Sequence, residues 1–191
     1  MKKLHSFDEV FDGQKVFRKL LEAMSNPGRS VSIAEQAEKM YGKNKTALAL
    51  AMTLLDNEVS FCAWNNQELS ENISLLTLSG ATALEEADFI FVEKAEDLPE
   101  VIQNAKCGTL EDPQKSATII MEAEENGTIT KSLYGAGIDG ILQLEMPDAA
   151  VKAMELRKQQ NYEYPQGIDM IFVTDSGNLF CIPRLVMEKE A

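Results

Sequence analysis

The sequence predicts an α/β fold in which a layered, mixed sheet is flanked by helices. The clearest observation is the run ADFIFV at residues 87–92, because a short, continuous apolar run is typical of a strand covered on both faces. In the first half of the chain, such strand candidates alternate with segments of helical apolar spacing, which is the pattern of a layered α/β domain. The second half is richer in strands, and turn residues connect several of them.

The first element is a predicted helix that begins near residue 6. Ser6 and Glu9 fit the two positions of a capping box, and the turn residues of SNPG (25–28) end the helix. Apolar residues recur between these signals at helical spacing, at Val10, Phe17, Leu20, Leu21 and Met24. Gly13 could divide this segment into two short helices.

Three strands and two helices are predicted over residues 29–105. The strand candidates are RSVSI (29–33), VSFCAW (59–64) and the run at 87–92. Residues 45–55 predict a helix that is apolar nearly all round and therefore well buried, with Asn44 as its N-cap. A further helix near residues 98–105 follows the third strand.

Two apolar runs in the second half predict a β-hairpin. ATIIMEA (117–123) and TITKSLY (128–134) flank Glu125-Asn126-Gly127, and Asn-Gly favours a type I′ turn because both central residues of that turn need positive φ. ILQLEM (141–146) is another strand candidate. A helix then opens at Pro147-Asp148 and runs to about Gln160.

A second hairpin is predicted around the turn DSGN (175–178). A simple closure pairs Val173 with Phe180 and Ile171 with Ile182. Alternation then places Asp169, Ile171, Val173, Phe180, Ile182 and Arg184 on one face, and Ile168, Met170, Phe172, Leu179 and Cys181 on the other. Because both faces are apolar, we expect the hairpin to be covered on both sides, and Pro183 predicts an edge or the end of the strand.

In this register Asp169 faces Arg184 directly at the margin of the sheet. Since an arginine can hold a carboxylate through two N–H groups, one interpretation is a structural ion pair that sets the hairpin register. The other is an arginine at the sheet edge that receives an anionic ligand or a partner. A bulge in either strand would shift the register by one residue and separate the pair.

Length and charge limit the classes of function. The 191 residues predict a single domain spanning 1–191, which can fold without a metal or a disulfide. Lys and Arg total 18 against 31 Asp and Glu, and the net charge of −13 disfavours nucleic-acid and anionic-membrane partners, because both need a cationic surface. With no run of about 18 apolar residues and no apolar segment at the N-terminus, we expect neither a membrane span nor a secretory signal.

Three distant cysteines and one histidine argue against metal chemistry. Cys62 and Cys181 lie in apolar runs, which predicts buried thiols in a reducing cytoplasm. His5 is the only histidine, so the sequence lacks most metal sites and the commonest general base. No catalytic constellation is evident, and we predict no catalytic residue, no metal and no cofactor.

The segment GAGI (135–138) follows a strand candidate and allows two interpretations. Its backbone N–H groups could hold a phosphate. A lone G-x-G without a following GKS/T or a third glycine is a weak nucleotide-binding signal, however, and a tight turn between two strands is the simpler explanation. Gly135, Gly137 and Arg184 are therefore the candidate ligand-binding residues.

Six segments in order resemble one family. FRKLLEAMSNPGR (17–29) is similar to its F-R-x-x-x-x-x-M-S-x-P-G opening, and the others are MTLLDNEVSF (52–61), ADFIFV, Gly108-Thr109 through Pro113 with ATIIM, GAGI, and YPQGID through IPR (164–184). On these residues the chain resembles the H subunits of the bacterial carbon–phosphorus lyase system, the PhnH family. It departs at Ala136, where the family usually has proline, at Tyr164 in place of Phe, and at Leu185 in place of Thr.

The resemblance implies a fold like that of pyridoxal-phosphate-dependent transferases but without their cofactor site. It also implies other carbon–phosphorus lyase subunits as partners, and a homodimer when the chain is free. With those partners, the H subunit supports transfer of a phosphonate onto ribose C1 of a nucleoside triphosphate, with loss of adenine. Two roles remain open, a non-catalytic subunit that assembles the complex, and a subunit that adds phosphate- or phosphonate-binding groups to a shared active site.

Overall fold

The computed structural model describes residues 5–125 and 127–189, which form two β-sheets packed with α-helices. The helices are α1 (Phe11–Ser25), α2 (Ala34–Ala37), α3 (Lys45–Leu54), α4 (Gln67–Thr77), α5 (Leu98–Asn104) and α6 (Asp148–Gln159). The strands are β1 (Val31–Ser32), β2 (Ser60–Ala63), β3 (Gly80–Ala81), β4 (Phe89–Val92), β5 (Thr118–Glu122), β6 (Ile129–Gly135), β7 (Leu142–Met146), β8 (Asp169–Val173), β9 (Asn178–Ile182) and β10 (Val186–Glu188). No helix within the described ranges is long and apolar enough to cross a lipid bilayer.

The larger sheet has seven strands in the order β1-β9-β8-β5-β4-β2-β3. Strand β9 is antiparallel to both of its neighbours, and every other adjacent pair in this sheet is parallel. The smaller sheet is antiparallel and has the order β10-β6-β7. The predicted α/β class, a mixed sheet flanked by helices, is confirmed.

Two hydrophobic clusters cover the two faces of the larger sheet. One cluster joins the sheet to α1, α3 and α4, and the other joins it to α5, α6 and the smaller sheet. Strand β4 contributes Phe91 to the first cluster and Ile90 and Val92 to the second, so its apolar run is buried on both faces as predicted. Burial of apolar surface on both sides is the main force that holds these layers together.

The hairpin predicted around Glu125-Asn126-Gly127 is wrong. Strand β5 lies inside the larger sheet between β4 and β8, whereas β6 lies in the smaller sheet between β7 and β10. Because both edges of β5 are already paired with parallel strands, the local Asn-Gly signal does not decide the pairing. Asn126 itself lies outside the described residues.

The first helix begins later than the capping box predicted. Ser6 Oγ donates to the Lys39 carbonyl, 3.4 Å away, and does not cap α1. The Asp8 carboxylate accepts instead from the backbone N–H groups of Val10 and Phe11, at 3.0 and 2.8 Å. Helix α1 is continuous through Gly13 and ends at Ser25, the first residue of the SNPG turn.

Asn44 occupies the position before α3 as expected, but its side chain does not cap the helix. Its backbone is left-handed, with φ 53°, and its Nδ2 group donates to Glu122 Oε2 at the end of β5, 3.4 Å away. The helix itself is well buried, as its composition predicted, with Leu48, Ala49 and Leu50 almost inaccessible to solvent.

The hairpin of β8 and β9 is confirmed, but its register is shifted by one residue. Phe172 pairs with Phe180 and Ile171 with Cys181, where the simple closure paired Val173 with Phe180. A shift of one residue exchanges the two faces of β9, so Cys181 shares a face with Ile171 and packs with it in the cluster against α1, α3 and α4. Both faces are covered, and β9 ends at Ile182, just before Pro183.

Candidate functional site

Three turns that are distant in sequence meet beside the smaller sheet. They are the SNPG turn at the end of α1, the GAGI turn at the end of β6 and the turn of residues 183–185 between β9 and β10. The backbone N–H of Gly28 donates to the Cys181 carbonyl, 3.0 Å away, which ties the first turn to β9. A Cβ atom placed on Gly137 would lie 2.8 Å from Pro27 Cδ and 3.0 Å from the Ser25 carbonyl oxygen, so the first two turns are in direct contact.

Gly135 and Gly137 are needed for backbone geometry and close packing. Their φ angles are 123° and 82°, which side-chain-bearing residues rarely adopt. A Cβ atom on Gly135 would lie 2.1 Å from the Leu185 carbonyl oxygen, too close for any other residue without movement of the backbone. The Ile138 N–H donates to the Gly135 carbonyl, 3.1 Å away, so GAGI forms the turn between β6 and β7 that the sequence favoured.

A cleft of about 330 Å³ opens at this junction. Its walls come from both glycine-containing turns and from the start of β7, and are formed by Asn26, Pro27, Gly28, Arg29, Gly137, Ile138, Asp139, Ile141, Leu142 and Leu144. Arg29 is exposed and forms an ion pair with Glu22 at 3.0 Å. Of the three candidate ligand-binding residues, Gly137 lies in the described lining of this cleft, whereas Gly135 and Arg184 do not.

Arg184 is bound to Asp169 despite the shifted register. Its backbone N–H donates to Asp169 Oδ1 at 2.8 Å, its Nε donates to Oδ2 at 3.1 Å, and its Nη2 also contacts Oδ2. Its Nη1 donates to the Pro113 carbonyl. The side chains are 18% and 13% exposed, so the pair is largely withdrawn from water. Arg184 reaches Asp169 because it lies beyond the last paired residue, Ile182, where the chain has left the ladder.

A second arginine, Arg157, contacts the same turn and was not predicted from the sequence. The Arg157 guanidinium, on α6, is buried and donates through Nη1 to the carbonyls of Ile168, Ile182 and Pro183, at 3.1–3.3 Å. Its Nη2 donates to the Val186 carbonyl. Burial lowers the pKa of Arg157 to about 10, and the nearby Asp169 carboxylate partly opposes that shift. In α6, Arg157 lies on the same buried side as apolar residues such as Val151 and Met154. This position in the helical pattern was the sequence signal that could have predicted a buried arginine.

The carboxyl ends of the parallel strands carry an acidic group. Burial raises the pKa of Glu122, at the end of β5, to about 7, and the negative charges of Asp175 and Glu93 add to the effect. The hydrogen bond from Asn44 partly opposes it. The sequence did not single out these residues, because they come together only when parallel strands from separate segments align.

We expect the contribution of Glu122 to the stability of the protein to fall as the pH rises from about 4.5 to about 7. In this window the folded protein keeps a proton on Glu122 that the unfolded chain releases, because the folded pKa lies above the ordinary value of 4.5. After allowance for solvent screening of this half-buried group, Glu122→Gln should stabilise the protein at pH 8 by about 1–2 kcal/mol. At pH 4 the variant and the wild type should be equally stable.

Urea unfolding at pH 4, 6 and 8 measures this effect, with Glu124→Gln as the control variant. A Glu122→Gln variant whose stability parallels that of the wild type at all three pH values would show that Glu122 titrates normally.

The described residues hold no grouping of three or more His, Cys, Asp or Glu side chains that could bind a metal ion. All three cysteines are free, with Cys181 buried and Cys62 and Cys107 half-buried. His5 is half-buried beside the start of the described chain, and its Nδ1 lies 3.2 Å from the Phe7 carbonyl oxygen. None of these groups lines the cleft at the junction of the three turns.

Comparisons with known proteins bear on this arrangement. A family described as bacterial phosphonate metabolism protein (PhnH) matches residues 5–187. The chain is 28% identical over 191 residues to the alpha-D-ribose 1-methylphosphonate 5-triphosphate synthase subunit PhnH of Rhizobium meliloti (strain 1021), covering 96% of this chain and 94% of that protein. It is also 28% identical over 163 residues to HtxG of Stutzerimonas stutzeri, whose name assigns it provisionally to the C-P lyase subunits, covering 84% and 78%.

Proposed function

Because the chain belongs to the PhnH family of bacterial phosphonate metabolism proteins, we propose that it is a subunit of a carbon–phosphorus lyase system. In that system it supports formation of alpha-D-ribose 1-methylphosphonate 5-triphosphate from methylphosphonate and ATP, the product named for the rhizobial relative. The match over residues 5–187 is the observation that carries this proposal. Its partners are the other subunits of the system, and the whole chain acts as one domain.

We assign the chain an assembly role without catalysis of its own. The reaction needs acid groups for a leaving base and electrostatic groups for a ribosyl transition state. Arg184 already binds Asp169, Arg157 already binds backbone carbonyls, and Gly135 packs against the Leu185 carbonyl. These contacts support a structural use of the family-like segments, with the chemistry on a partner subunit.

The fold is further proposed to resemble that of pyridoxal-phosphate-dependent transferases without using their cofactor. The seven-stranded mixed sheet with helices on both faces is compatible with that resemblance. The carboxyl edge of this sheet does not fit the cofactor, because the carboxyl groups of Glu122, Asp175 and Glu93 cluster there and would repel a phosphate. Phosphate sites instead need backbone N–H groups or cations.

We also propose a cytoplasmic location and a homodimer for the free chain. The free thiols of Cys62, Cys107 and Cys181 fit a reducing compartment, which is where ATP is available as substrate. Symmetric pairing is a common way to cover apolar surface that is reserved for a partner.

The alternative function is a subunit that contributes phosphate- or phosphonate-binding groups to a shared active site. Its candidate ligand-binding residues are Gly135, Gly137 and Arg184. One observation favours ligand binding in the cleft of about 330 Å³, because Gly137 lines this cleft together with the exposed cation Arg29. An anion could enter that cleft and replace Glu22 as the partner of Arg29.

Growth on methylphosphonate as the sole phosphorus source tests the proposed function. Deletion of the gene should abolish this growth and leave growth on phosphate normal. Restored growth through the intact gene, but none through an empty vector, would establish the requirement. Full growth of the deletion strain on methylphosphonate would contradict the proposal.

Complementation with Arg29→Ala separates the two roles, because Arg29 is exposed and its loss should leave the fold intact. The assembly role predicts normal growth, equal to that given by the control Lys43→Ala, which removes another exposed cation. If Arg29→Ala protein is folded and joins the complex but does not restore growth, the cleft takes part in ligand binding and the purely structural role is wrong.

A further inference from the structure

The outer side of α1 carries apolar side chains that the described chain leaves uncovered. Phe17 and Leu21 are 50% and 54% exposed, and Val10, just before the helix, is 72% exposed. Their spacing of seven and four residues places them in one stripe along the helix. The core contacts of α1 come from a different side, through Val16 and Leu20, so folding does not require this stripe.

Cations border the stripe. Arg18 is exposed and, within residues 5–125 and 127–189, forms no ion pair or hydrogen bond. Lys15 and Lys19 lie close by on the same helix and line, with Arg18, a cleft of about 400 Å³. Their carboxylate neighbours Glu35 and Glu22 are 3.7 Å away in exposed surroundings, where an ion pair contributes little. The surface therefore combines apolar and positive groups.

Positive surface is uncommon in so acidic a chain. Residues 1–45 contain 9 of the 18 Lys and Arg but only 6 of the 31 Asp and Glu, which leaves 9 cations and 25 carboxylates in the remainder. An apolar stripe beside cations complements a surface that is apolar at its centre and carries carboxylates at its rim.

Other occupants fit this face less well. Symmetric pairing of two copies through α1 would bring the same patch of each copy together and oppose cation to cation. A membrane of anionic lipids would be repelled by the rest of the chain, whose net charge is −13 overall. A protein partner with local carboxylates meets neither obstacle.

We propose that the face formed by Val10, Phe17, Leu21 and Arg18 docks a partner subunit through an apolar surface rimmed by carboxylates. This inference rests on the proposed function, which supplies the partner subunits. The homodimer proposed for the free chain would use a different surface.

The test measures the Kd between the purified chain and a purified subassembly of the other carbon–phosphorus lyase subunits. The double variant Phe17→Ser/Leu21→Ser should weaken binding at least about tenfold, because a few side chains that become buried at an interface carry most of its affinity. Arg18→Glu should weaken it about tenfold at low salt and less at high salt, since screening reduces the charge term. Leu75→Ser/Leu78→Ser, which removes exposed leucines at the end of α4, is the matched control and should bind like the wild type.

Results other than these would contradict either the docking face, the proposed function or the proposed occupant of the face. If wild type and all variants bind equally, the docking face is wrong while the proposed function stands. If the wild type fails to bind the subassembly, the proposed function fails and this inference fails with it. Sedimentation that shows a dimer lost in Phe17→Ser/Leu21→Ser would assign the face to a second copy, and pelleting of the wild type with phosphatidylcholine–phosphatidylserine vesicles would assign it to a membrane. Either result would overturn the proposed occupant.

Discussion

Replacement of Arg157 by alanine is expected to lower the free energy of unfolding by about 3–5 kcal/mol. The buried guanidinium donates to four backbone carbonyls, at Ile168, Ile182, Pro183 and Val186, and all four would lose this donor in an environment that water does not readily reach. The Pro183 carbonyl would keep the Val186 backbone N–H, 3.0 Å away. Arg157→Lys should recover little of the loss, because one ammonium group cannot reproduce the planar set of donors.

Urea unfolding followed by far-ultraviolet circular dichroism measures this effect. Gln159→Ala is the control, since Gln159 is exposed on the same helix and tests the helical propensity of alanine alone. An Arg157→Ala midpoint equal to that of the control would mean that the four carbonyls find other donors and that Arg157 does not hold the turn.

Loss of Asp169 is expected to cost about 3–4 kcal/mol, because the largely buried Arg184 guanidinium would keep, among the residues that the structure describes, only the Pro113 carbonyl as a partner. Arg184→Ala should cost less, about 2–3 kcal/mol, since Asp169 would retain the backbone N–H of residue 184 at 2.8 Å. The double variant should be more stable than the sum of the single effects predicts, with a coupling of about 2 kcal/mol.

A double-mutant cycle by urea unfolding gives this coupling. Asp169→Asn serves as the control that keeps the shape of the side chain and removes its charge. A coupling near zero would show that the two residues stabilise the protein independently, and the ligand-binding interpretation of Arg184 would then gain support.

The helices and strands were largely predictable because their signals are local. The apolar run of β4, the buried composition of α3, and the Asp-Ser-Gly-Asn turn between β8 and β9 each depend on neighbouring residues, and each prediction holds. The family resemblance was likewise readable from short segments in order. The candidate glycines at 135 and 137 were found by the same kind of signal, although their close contacts with Leu185 and Pro27 were not predictable.

Predictions that needed knowledge of distant neighbours failed or were not made. The Asn-Gly signal near Gly127 pointed to a hairpin, yet β5 pairs with β4 and β8, because burying its apolar run on both faces is worth more than one favourable turn. The composition of the turn between β8 and β9 does not distinguish two registers that differ by one residue, so the predicted register was wrong by one residue.

The sequence by itself determined the α/β class, the positions of most helices and strands, and the family. Only the tertiary structure decided which strands pair, which carbonyls the buried Arg157 satisfies and how Glu122 meets Asp175, since these depend on contacts between segments far apart in the chain.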